Sequence, residues 1–373
     1  MRGFMFHRAG RVLTALVCLA TSNAWADIVL GHSGDLSGNT AALTTDYVRG
    51  MNAYFDDLNK KGGIRGEKIK LISMDDGFNP DKTLVNTKAL IEKDNAVALV
   101  GYRGTANLLK VMPTVQAAGI AEIGNTAGAK SLRDPYVPGI FHVRASTTDE
   151  IEAEVNHAWT IGINRIAAMY QDDAFGKEGL EAFVAALKKR GATPAAVAPV
   201  PRGTADVVKA VDVIAAVKPQ AVILIGQAKP AAAFIKGIRA KGVSPQFFVL
   251  SVASGLHAEL KAPSAGVIVS QVVPYPFTEL GNPVVREYQT IISQTADKKF
   301  SYNSMEGFLN AKLVARAIQK TSGPVTRAKI ITALESMNNE DLGGFMVRYG
   351  KQNNLGSHYV NLTMIRADGS FAR

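Results

Sequence analysis

The sequence predicts an α/β protein built from two lobes with parallel sheets. The chain has 373 residues, and one compact domain needs roughly 100 to 200, so two domains are expected. Short apolar runs alternate with stretches that carry apolar residues at helical spacing. This alternation occurs in two successive series. Continuous apolar strands between helices are typical of parallel sheets that are covered on both faces.

The first series contains three strands and two helices. The strands are predicted at residues 28–31, 68–74 and 97–101, and the helices at residues 46–60 and 81–93. The second series has strands at residues 166–170, 196–200, 221–225, 247–250 and 267–273, with helices at residues 176–189, 205–217 and 230–241. The C-terminal part predicts helices at residues 283–295, 304–320 and 326–335, then strands at residues 344–349 and 359–365.

Chain crossings between packed lobes are expected near Arg144, near residues 274–276 and near Gly350, because no low-complexity linker separates the two series. The predicted N-terminal lobe is therefore residues 27–145 and 277–349, and the C-terminal lobe is residues 146–276 and 350–373. Ligands of open α/β sheets bind beyond the carboxyl ends of the strands. Two such lobes facing each other predict a cleft.

Residues 1–26 are typical of a secretory signal peptide. Three arginines precede an apolar run at residues 12–20, and Ala24 and Ala26 supply the small residues of a cleavage site. The apolar run is too short to span a bilayer. Cleavage after Ala26 would start the mature chain at Asp27, and we expect an exported protein.

Composition excludes several classes of protein. With 47% apolar and 20% charged residues, the chain is neither disordered nor fibrous. Its single cysteine, Cys18, excludes a disulfide framework, and the bulky Val17 before it disfavours a lipid anchor. The net charge of +10 is spread among acidic residues without a basic run, which favours a solvated surface and no nucleic-acid partner.

Motifs for catalysis and cofactors are missing from the sequence. It has no phosphate-binding P-loop and no Gly-x-Gly-x-x-Gly fingerprint. Residues 31–34 resemble a nucleophile elbow, but Asp35 stands where that motif needs glycine, so a strand-to-helix turn is favoured. No two of the six histidines are four residues apart, which disfavours a helical zinc site. We predict no catalytic residue, metal or cofactor.

Two polar loops follow predicted strands of the first series. Residues 101–105 lead into a helix, where the Thr105 hydroxyl and backbone N–H groups would favour a carboxylate. The alternative is that Thr105 only caps the helix. Residues 124–128 form a second loop with Thr126 at the same expected sheet edge. Together the two loops favour ligand binding.

Four further motifs, at residues 36–38, 59–66, 75–80 and 170–176, resemble those of the leucine/isoleucine/valine-binding protein family. These are type I periplasmic solute-binding proteins of ABC transporters. The resemblance covers the mature chain and implies two Rossmann-like lobes with parallel central sheets, joined by three hinge crossings that close like a Venus flytrap. It also implies a monomer in the periplasm that delivers a small ligand to an inner-membrane ABC permease with its ATPase subunits.

The resemblance also implies a set of ligand-contacting residues. By position, the family residues that hold the ligand carboxylate correspond to Thr105, Thr126, Ala127 and Gly128. Phe175 matches an aromatic residue of the second lobe, with a core role as the alternative, and Tyr275 either lines the cleft or is structural. The remaining members of the expected set are Tyr102, Arg103, Asp173, Gln227 and Val252.

Departures from the family pattern bear on the identity of the ligand. Val252 stands where amino-acid binders place a glutamate for the ammonium group, and Phe78 and Gly104 stand at the positions of the family disulfide. Arg103 and Glu122 replace apolar residues; they either form a salt bridge or Arg103 grips the ligand.

The sequence thus predicts capture of a branched-chain amino acid or a related small carboxylate. Asp173 in the facing lobe would supply the negative charge for an ammonium group if the ligand is an amino acid. A ligand sensor of the same fold and a periplasmic α/β enzyme are the alternatives.

Overall fold

The computed structural model of the protein describes residues 27–278 and 281–373. The predicted signal peptide, residues 1–26, lies outside the described residues. Within this part of the chain, none of the helices combines the length and the apolar composition that a membrane crossing requires.

The first lobe contains a five-stranded parallel sheet. Its strands are β1 (Ile28–Gly34), β2 (Ile69–Asp75), β3 (Ala98–Val100), β4 (Ala121–Ile123) and β5 (Ile140–Phe141). Helices α1 (Ala41–Lys60), α2 (Pro80–Glu92) and α3 (Thr105–Ala117) connect them. The strand order is β2-β1-β3-β4-β5, so the carboxyl ends of β3 and β4 are neighbours at one edge of the sheet.

The second lobe contains a seven-stranded sheet. The chain enters it through α4 (Thr147–Thr160), β6 (Ile166–Asp172), α5 (Ala174–Lys188), β7 (Val197–Pro201), α6 (Val208–Ala216), β8 (Ala221–Ile225), α7 (Ala228–Ala240), β9 (Gln246–Val249), α8 (Leu256–Leu260) and β10 (Ile268–Gln271). The remaining elements are α9 (Pro283–Ile292), α10 (Tyr302–Gln319), α11 (Arg327–Glu335), β11 (Glu340–Asp341), β12 (Met346–Val347), β13 (Asn361–Ile365) and β14 (Phe371–Ala372). The order is β14-β13-β10-β9-β8-β6-β7, and β13 and β14 are antiparallel to their neighbours.

The chain passes between the two sheets three times, after Phe141, after Gln271 and after Val347. On its return, α9 and α10 pack against α1 and complete the first lobe. One core cluster therefore joins residues distant in sequence, such as Met51 and Phe308. The predicted α/β class with two lobes of mainly parallel sheets is confirmed, while the residue-level lobe boundaries stay a prediction.

Helix α4 was not predicted from the apolar periodicity. Its inward face carries Glu150 and Glu154, both buried, among the apolar Ile151 and Val155. Charged residues at core positions interrupt the pattern that indicates an amphipathic helix. The helix start is nevertheless encoded locally, because Ser146 and Asp149 form a capping box.

Two glycines allow α1 and α10 to touch through their backbones. A Cβ atom on Gly50 would overlap the carbonyl oxygen of Ser304, and one on Gly307 would overlap the carbonyl oxygen of Tyr47. No flexible side-chain end is available to move aside at either point. The close approach of these helices therefore requires glycine at both positions.

We expect Gly307→Ala to lower the free energy of unfolding by about 1–3 kcal/mol, because the helices must separate to admit the methyl group. Chemical denaturation measures the change. Gly281→Ala is the control, since its added Cβ atom would meet no atom within 4 Å. Equal stability of the two variants would contradict this account of the helix pair.

Candidate ligand-binding site between the lobes

The loop after β3 brings Thr105 to the cleft at the start of α3. Gly101 and Gly104 adopt positive φ angles of 70° and 90°, which turn the chain sharply between strand and helix. Gly104 is the N-cap residue, and no side chain caps the helix. The Thr105 hydroxyl is buried and has no hydrogen-bond partner. The interpretation of Thr105 as a helix cap is therefore wrong.

The loop after β4 brings a second hydroxyl to the same place. The backbone N–H of Thr126 donates to the carbonyl of Tyr102 at 2.9 Å, which ties this loop to the preceding one. Thr126 is 5% exposed, and its hydroxyl also lacks a partner. Thr105, Thr126 and Ala127 line one cavity.

The second lobe forms the opposite wall of this inner cavity. Its predicted contributors Asp173, Phe175, Gln227 and Val252 all line the space, together with Gln171 and Arg202. The volume of the inner cavity is about 20 Å³. That is room for about one water molecule. The structure thus brings predicted residues of both lobes around one small polar space.

Arg103 crosses from the first lobe to the second. Its Nη2 atom donates to Gln227 Oε1 at 3.4 Å and to the Val252 carbonyl at 3.5 Å. Its Nε atom is buried without a partner. Burial, reinforced by the nearby charge of Arg144, lowers the pKa of Arg103 to about 10, so the guanidinium remains charged at neutral pH.

The predicted salt bridge between Arg103 and Glu122 is wrong. Glu122 accepts hydrogen bonds from the Tyr102 backbone N–H at 3.2 Å and from Asn125 Nδ2 at 2.8 Å. Burial raises the pKa of its carboxyl to about 8, although these hydrogen bonds act in the opposite direction. Glu122 is therefore mostly protonated at neutral pH, and its hydrogen bonds connect the loops after β3 and β4. Arg103 instead contacts the second lobe.

Two predicted contact residues lie behind the cavity wall. Tyr102 is fully buried in the first-lobe core, and its hydroxyl is 3.0 Å from Thr87 Oγ1. A Cβ atom on Gly128 would overlap Thr147 at the start of α4, so this glycine permits a close backbone approach. Neither residue lines the cavity. Contact of either residue with a ligand stays a prediction, because loop position alone does not show which groups face the cavity.

Tyr275 takes the structural role that the sequence left open. Its hydroxyl donates to the Phe371 carbonyl at 2.9 Å. Its ring packs edge-on against Phe277 and Tyr302. Tyr275 thus stabilises the second crossing and does not line the cavities of the cleft.

Sequence reasoning missed Arg202, in the loop after β7. Its Nη2 atom donates to the Phe78 carbonyl at 2.9 Å and to Asn107 Oδ1 at 3.2 Å. Its guanidinium carbon lies 4.4 Å from the centre of the Phe78 ring, and its Nε atom is 3.2 Å from Asp173 Oδ2. Arg202 therefore joins the lobes directly. Its position just after a strand end, like that of Thr105, was the signal available in the sequence.

The Phe78 ring occupies the place where the family disulfide is expected. A Cβ atom on Gly104 would lie 2.8 Å from Phe78 Cε2. The two positions are therefore adjacent, as the resemblance implies. An aromatic ring against a glycine fills this place, and its face supports the Arg202 guanidinium.

A second and larger cavity lies beyond Arg202, also between the lobes. This outer chamber has a volume of about 350 Å³. It shares four residues with the inner cavity, namely Phe78, Gln171, Arg202 and Gln227. The rest of its lining is Gly38, Asn39, Thr40, Gly77, Gly203, Thr204, Lys229 and Pro230.

Hydrogen bonds at the rim hold the lobes together. Asn39 Nδ2 donates to the Gly203 carbonyl at 3.1 Å. On the other side, the Ser131 backbone N–H donates to a Glu178 carboxylate oxygen at 2.9 Å. The two lobes are thus in direct contact around the site, which is the closed arrangement of a two-lobed protein.

Two lobes that close on a polar cavity define a ligand-binding protein of the flytrap type. The family model described as periplasmic binding protein matches residues 27–370, and the chain belongs to this family. Its members are substrate-binding proteins, and the resemblance given by the sequence motifs is confirmed.

Solved structures and a curated relative agree with this assignment. A substrate-binding periplasmic protein from Ralstonia solanacearum is 34% identical, with a TM-score of 0.87 over 92% of this chain and 99% of that chain. A possible leucine/isoleucine/valine-binding protein from Rhodopirellula baltica SH 1 is 28% identical, with a TM-score of 0.87 over 94% and 97%. An amino acid binding protein of Pseudomonas aeruginosa is 26% identical over 230 residues, which are 61% of each chain. The match thus spans about three fifths of that relative's length.

Glu122 should make stability depend on pH. Its pKa is 4.5 as a free group and about 8 in the folded protein. Between these values the unfolded state binds fewer protons, so the free energy of unfolding falls as pH rises, by up to about 1.4 kcal/mol per pH unit. We expect Glu122→Gln to remove this slope.

Denaturation of both proteins at several values from about pH 5 to pH 8 measures the difference, and the slope should be smaller in Glu122→Gln. The exposed Glu181→Gln serves as the control. Parallel curves for the wild type and Glu122→Gln would mean that Glu122 is ionised in the folded protein.

Proposed function

We propose that this protein is the periplasmic solute-binding subunit of an ABC importer and captures a small carboxylate between its lobes. Export through the N-terminal signal peptide would bring it to the periplasm. An inner-membrane permease with its ATPase subunits would then receive the ligand. The observation that supports the carboxylate most strongly is the set of buried polar atoms without hydrogen-bond partners on residues that line the inner cavity: Thr105 Oγ1, Thr126 Oγ1, Arg103 Nε and Arg202 Nε.

The balance of donors and acceptors favours an anion. Buried polar atoms are almost always hydrogen-bonded in folded proteins, so these unpaired guanidinium N–H groups, together with hydroxyls that can donate, would suit a ligand rich in acceptors. Two of the acceptor groups around the cavity already accept hydrogen bonds. Gln227 accepts from Arg103, and Asp173 accepts from Gln171 Nε2 at 2.6 Å and from the Gly176 backbone N–H at 3.1 Å.

This balance argues against an amino-acid ligand. An ammonium group needs acceptors, and Asp173, the only carboxylate among the described residues that line the inner cavity, already accepts two hydrogen bonds and lies 3.2 Å from Arg202 Nε, whose charge offsets its own. Val252 offers only its backbone carbonyl, which Arg103 already contacts. The names of relatives as amino acid binding and leucine/isoleucine/valine-binding proteins support the opposite choice. We propose a carboxylate without an ammonium group.

We propose further that the protein acts as a monomer and without turnover of its ligand. Capture and release need only an equilibrium between open and closed lobes, in which the ligand binds the closed form more tightly. A ligand sensor would use the same closure. Stimulation of permease ATPase activity by the loaded protein distinguishes delivery from sensing.

A thermal-shift screen against organic acids and amino acids finds a working ligand, since a ligand at 100 times its Kd adds about 2.7 kcal/mol of stability. With the best carboxylate from that screen, we expect Thr105→Val to bind about 10- to 150-fold more weakly, because a hydroxyl hydrogen bond to a charged group is lost. Titration calorimetry measures the affinity. Thr105→Ser, which keeps the hydroxyl, should retain most of it.

Unchanged affinity in a folded Thr105→Val protein would show that the hydroxyl does not touch the ligand. The proposed function would then lose its main support.

A further inference from the structure

We propose that the ligand is a dicarboxylate, with one carboxylate in the inner cavity and the other in the outer chamber, where Arg202 and Lys229 receive it. This inference rests on the function proposed above and narrows its substrate class. It makes Arg202 and Lys229 the residues that determine specificity for the second carboxylate.

The inner cavity and the outer chamber differ greatly in size. The inner cavity, at about 20 Å³, is far smaller than the outer chamber, at about 350 Å³. Pockets for small organic ligands typically measure about 300–1,000 Å³. The inner cavity, which Thr105, Thr126 and Arg103 line, therefore admits no more than the oxygen end of a carboxylate. The body of the ligand must continue past Gln227 and Arg202 into the outer chamber.

The outer chamber is lined by positively charged side chains. The side chains that line it include two cations, Arg202 and Lys229, and no carboxylate. Within the described part of the chain, Lys229 forms no ion pair or hydrogen bond. It lies in the first turn of α7, where the N-terminal end of a helix also favours a negative charge. An anionic group in this chamber would be stabilised by Arg202, by Lys229 and by the N-terminal end of α7.

Arg202 has N–H donors that make no hydrogen bond to the described residues. A guanidinium has five N–H donors. Nη2 donates to Phe78 and Asn107, and Nε lies 3.2 Å from Asp173 Oδ2 without a hydrogen bond. Nη1 makes no hydrogen bond to any of the described residues. Arg202 can thus keep its contacts across the cleft and still donate to a carboxylate in the chamber.

The outer chamber lacks branched aliphatic side chains. Phe78 and Pro230 are the only lining residues with wholly apolar side chains, and none of the lining residues is a leucine, isoleucine or valine, so most of the apolar surface comes from the aliphatic parts of polar side chains. The aliphatic side chain of a branched-chain amino acid would lie there against cations, amides and hydroxyls. Covering those groups without hydrogen bonds costs free energy, whereas a second carboxylate satisfies them.

The test compares dicarboxylates with monocarboxylates of the same chain length. Succinate, glutarate and adipate are titrated by calorimetry beside butyrate, valerate and hexanoate, with L-leucine as a further probe. The wild-type protein should bind its best dicarboxylate at least about tenfold more tightly than the matching monocarboxylate.

Two variants then locate the preference. Lys229→Gln should reduce the preference for the dicarboxylate about three- to fivefold, since an ion pair with an exposed cation is weak. Among the described residues, this variant removes no hydrogen bond or ion pair between the lobes. Arg202→Gln should abolish it, although this variant also loses contacts that hold the lobes closed. Lys188→Gln removes the same charge from an exposed position on α5 of the same lobe and should leave the preference unchanged.

Each outcome separates this inference from the proposed function. If monocarboxylates or L-leucine bind as tightly as the dicarboxylates, or if Lys229→Gln and Arg202→Gln leave the preference intact, the dicarboxylate assignment is overturned. Binding of a monocarboxylate that is sensitive to Thr105→Val would still support the proposed function. If no carboxylate binds, the proposed function fails as well.

Discussion

The geometry of the cleft depends on the buried charge of Arg144. Its guanidinium lies at the first crossing, donates to the Thr126 carbonyl at 3.1 Å and to Glu150 at 3.1 Å, and is 3.4 Å from Glu306. It also hydrogen-bonds Ser251 of the second lobe. One cation thus fixes a ligand-facing loop, α4 and α10 relative to one another. Removing one partner of a buried ion pair costs about 3–5 kcal/mol, so these groups must be kept together.

When the lobes are closed around Arg144, Arg103 makes only weak hydrogen bonds to the second lobe, and nearby hydroxyls remain unpaired. The bonds from Arg103 to Gln227 and Val252 are 3.4 and 3.5 Å long, at the limit of a useful hydrogen bond. A carboxylate between the lobes would replace them with shorter, charge-assisted bonds. A ligand shifts an open and closed equilibrium only by its difference in affinity for the two forms. Donors from both lobes meet only in the closed form, which supplies that difference.

Most of the fold could be predicted from the sequence because apolar periodicity follows directly from burial. Helix α4 could not, because the buried Glu150 and Glu154 interrupt its apolar pattern, and Glu150 is stabilised by tertiary hydrogen bonds from Arg144, Ser251 and Ser270 that the sequence does not reveal. Thr105 and Thr126 could be located because they follow strand ends, which parallel topology gathers at one edge. Tyr102 lies in the first-lobe core and does not line the inner cavity, which the sequence could not show because spacing does not reveal which way a loop side chain turns. Arg202 was missed because its partners Phe78 and Asn107 belong to the facing lobe.

The central claim is that the first-lobe hydroxyls and Arg103 hold an anion between the closed lobes. A crystal structure of the protein with the carboxylate that gives the largest thermal shift tests it most directly. The account predicts carboxylate oxygens within about 2.6–3.2 Å of Thr105 Oγ1, Thr126 Oγ1 and Arg103 Nε. A ligand that turns an ammonium group or an aliphatic chain toward these atoms, or that binds outside the inner cavity, would contradict it.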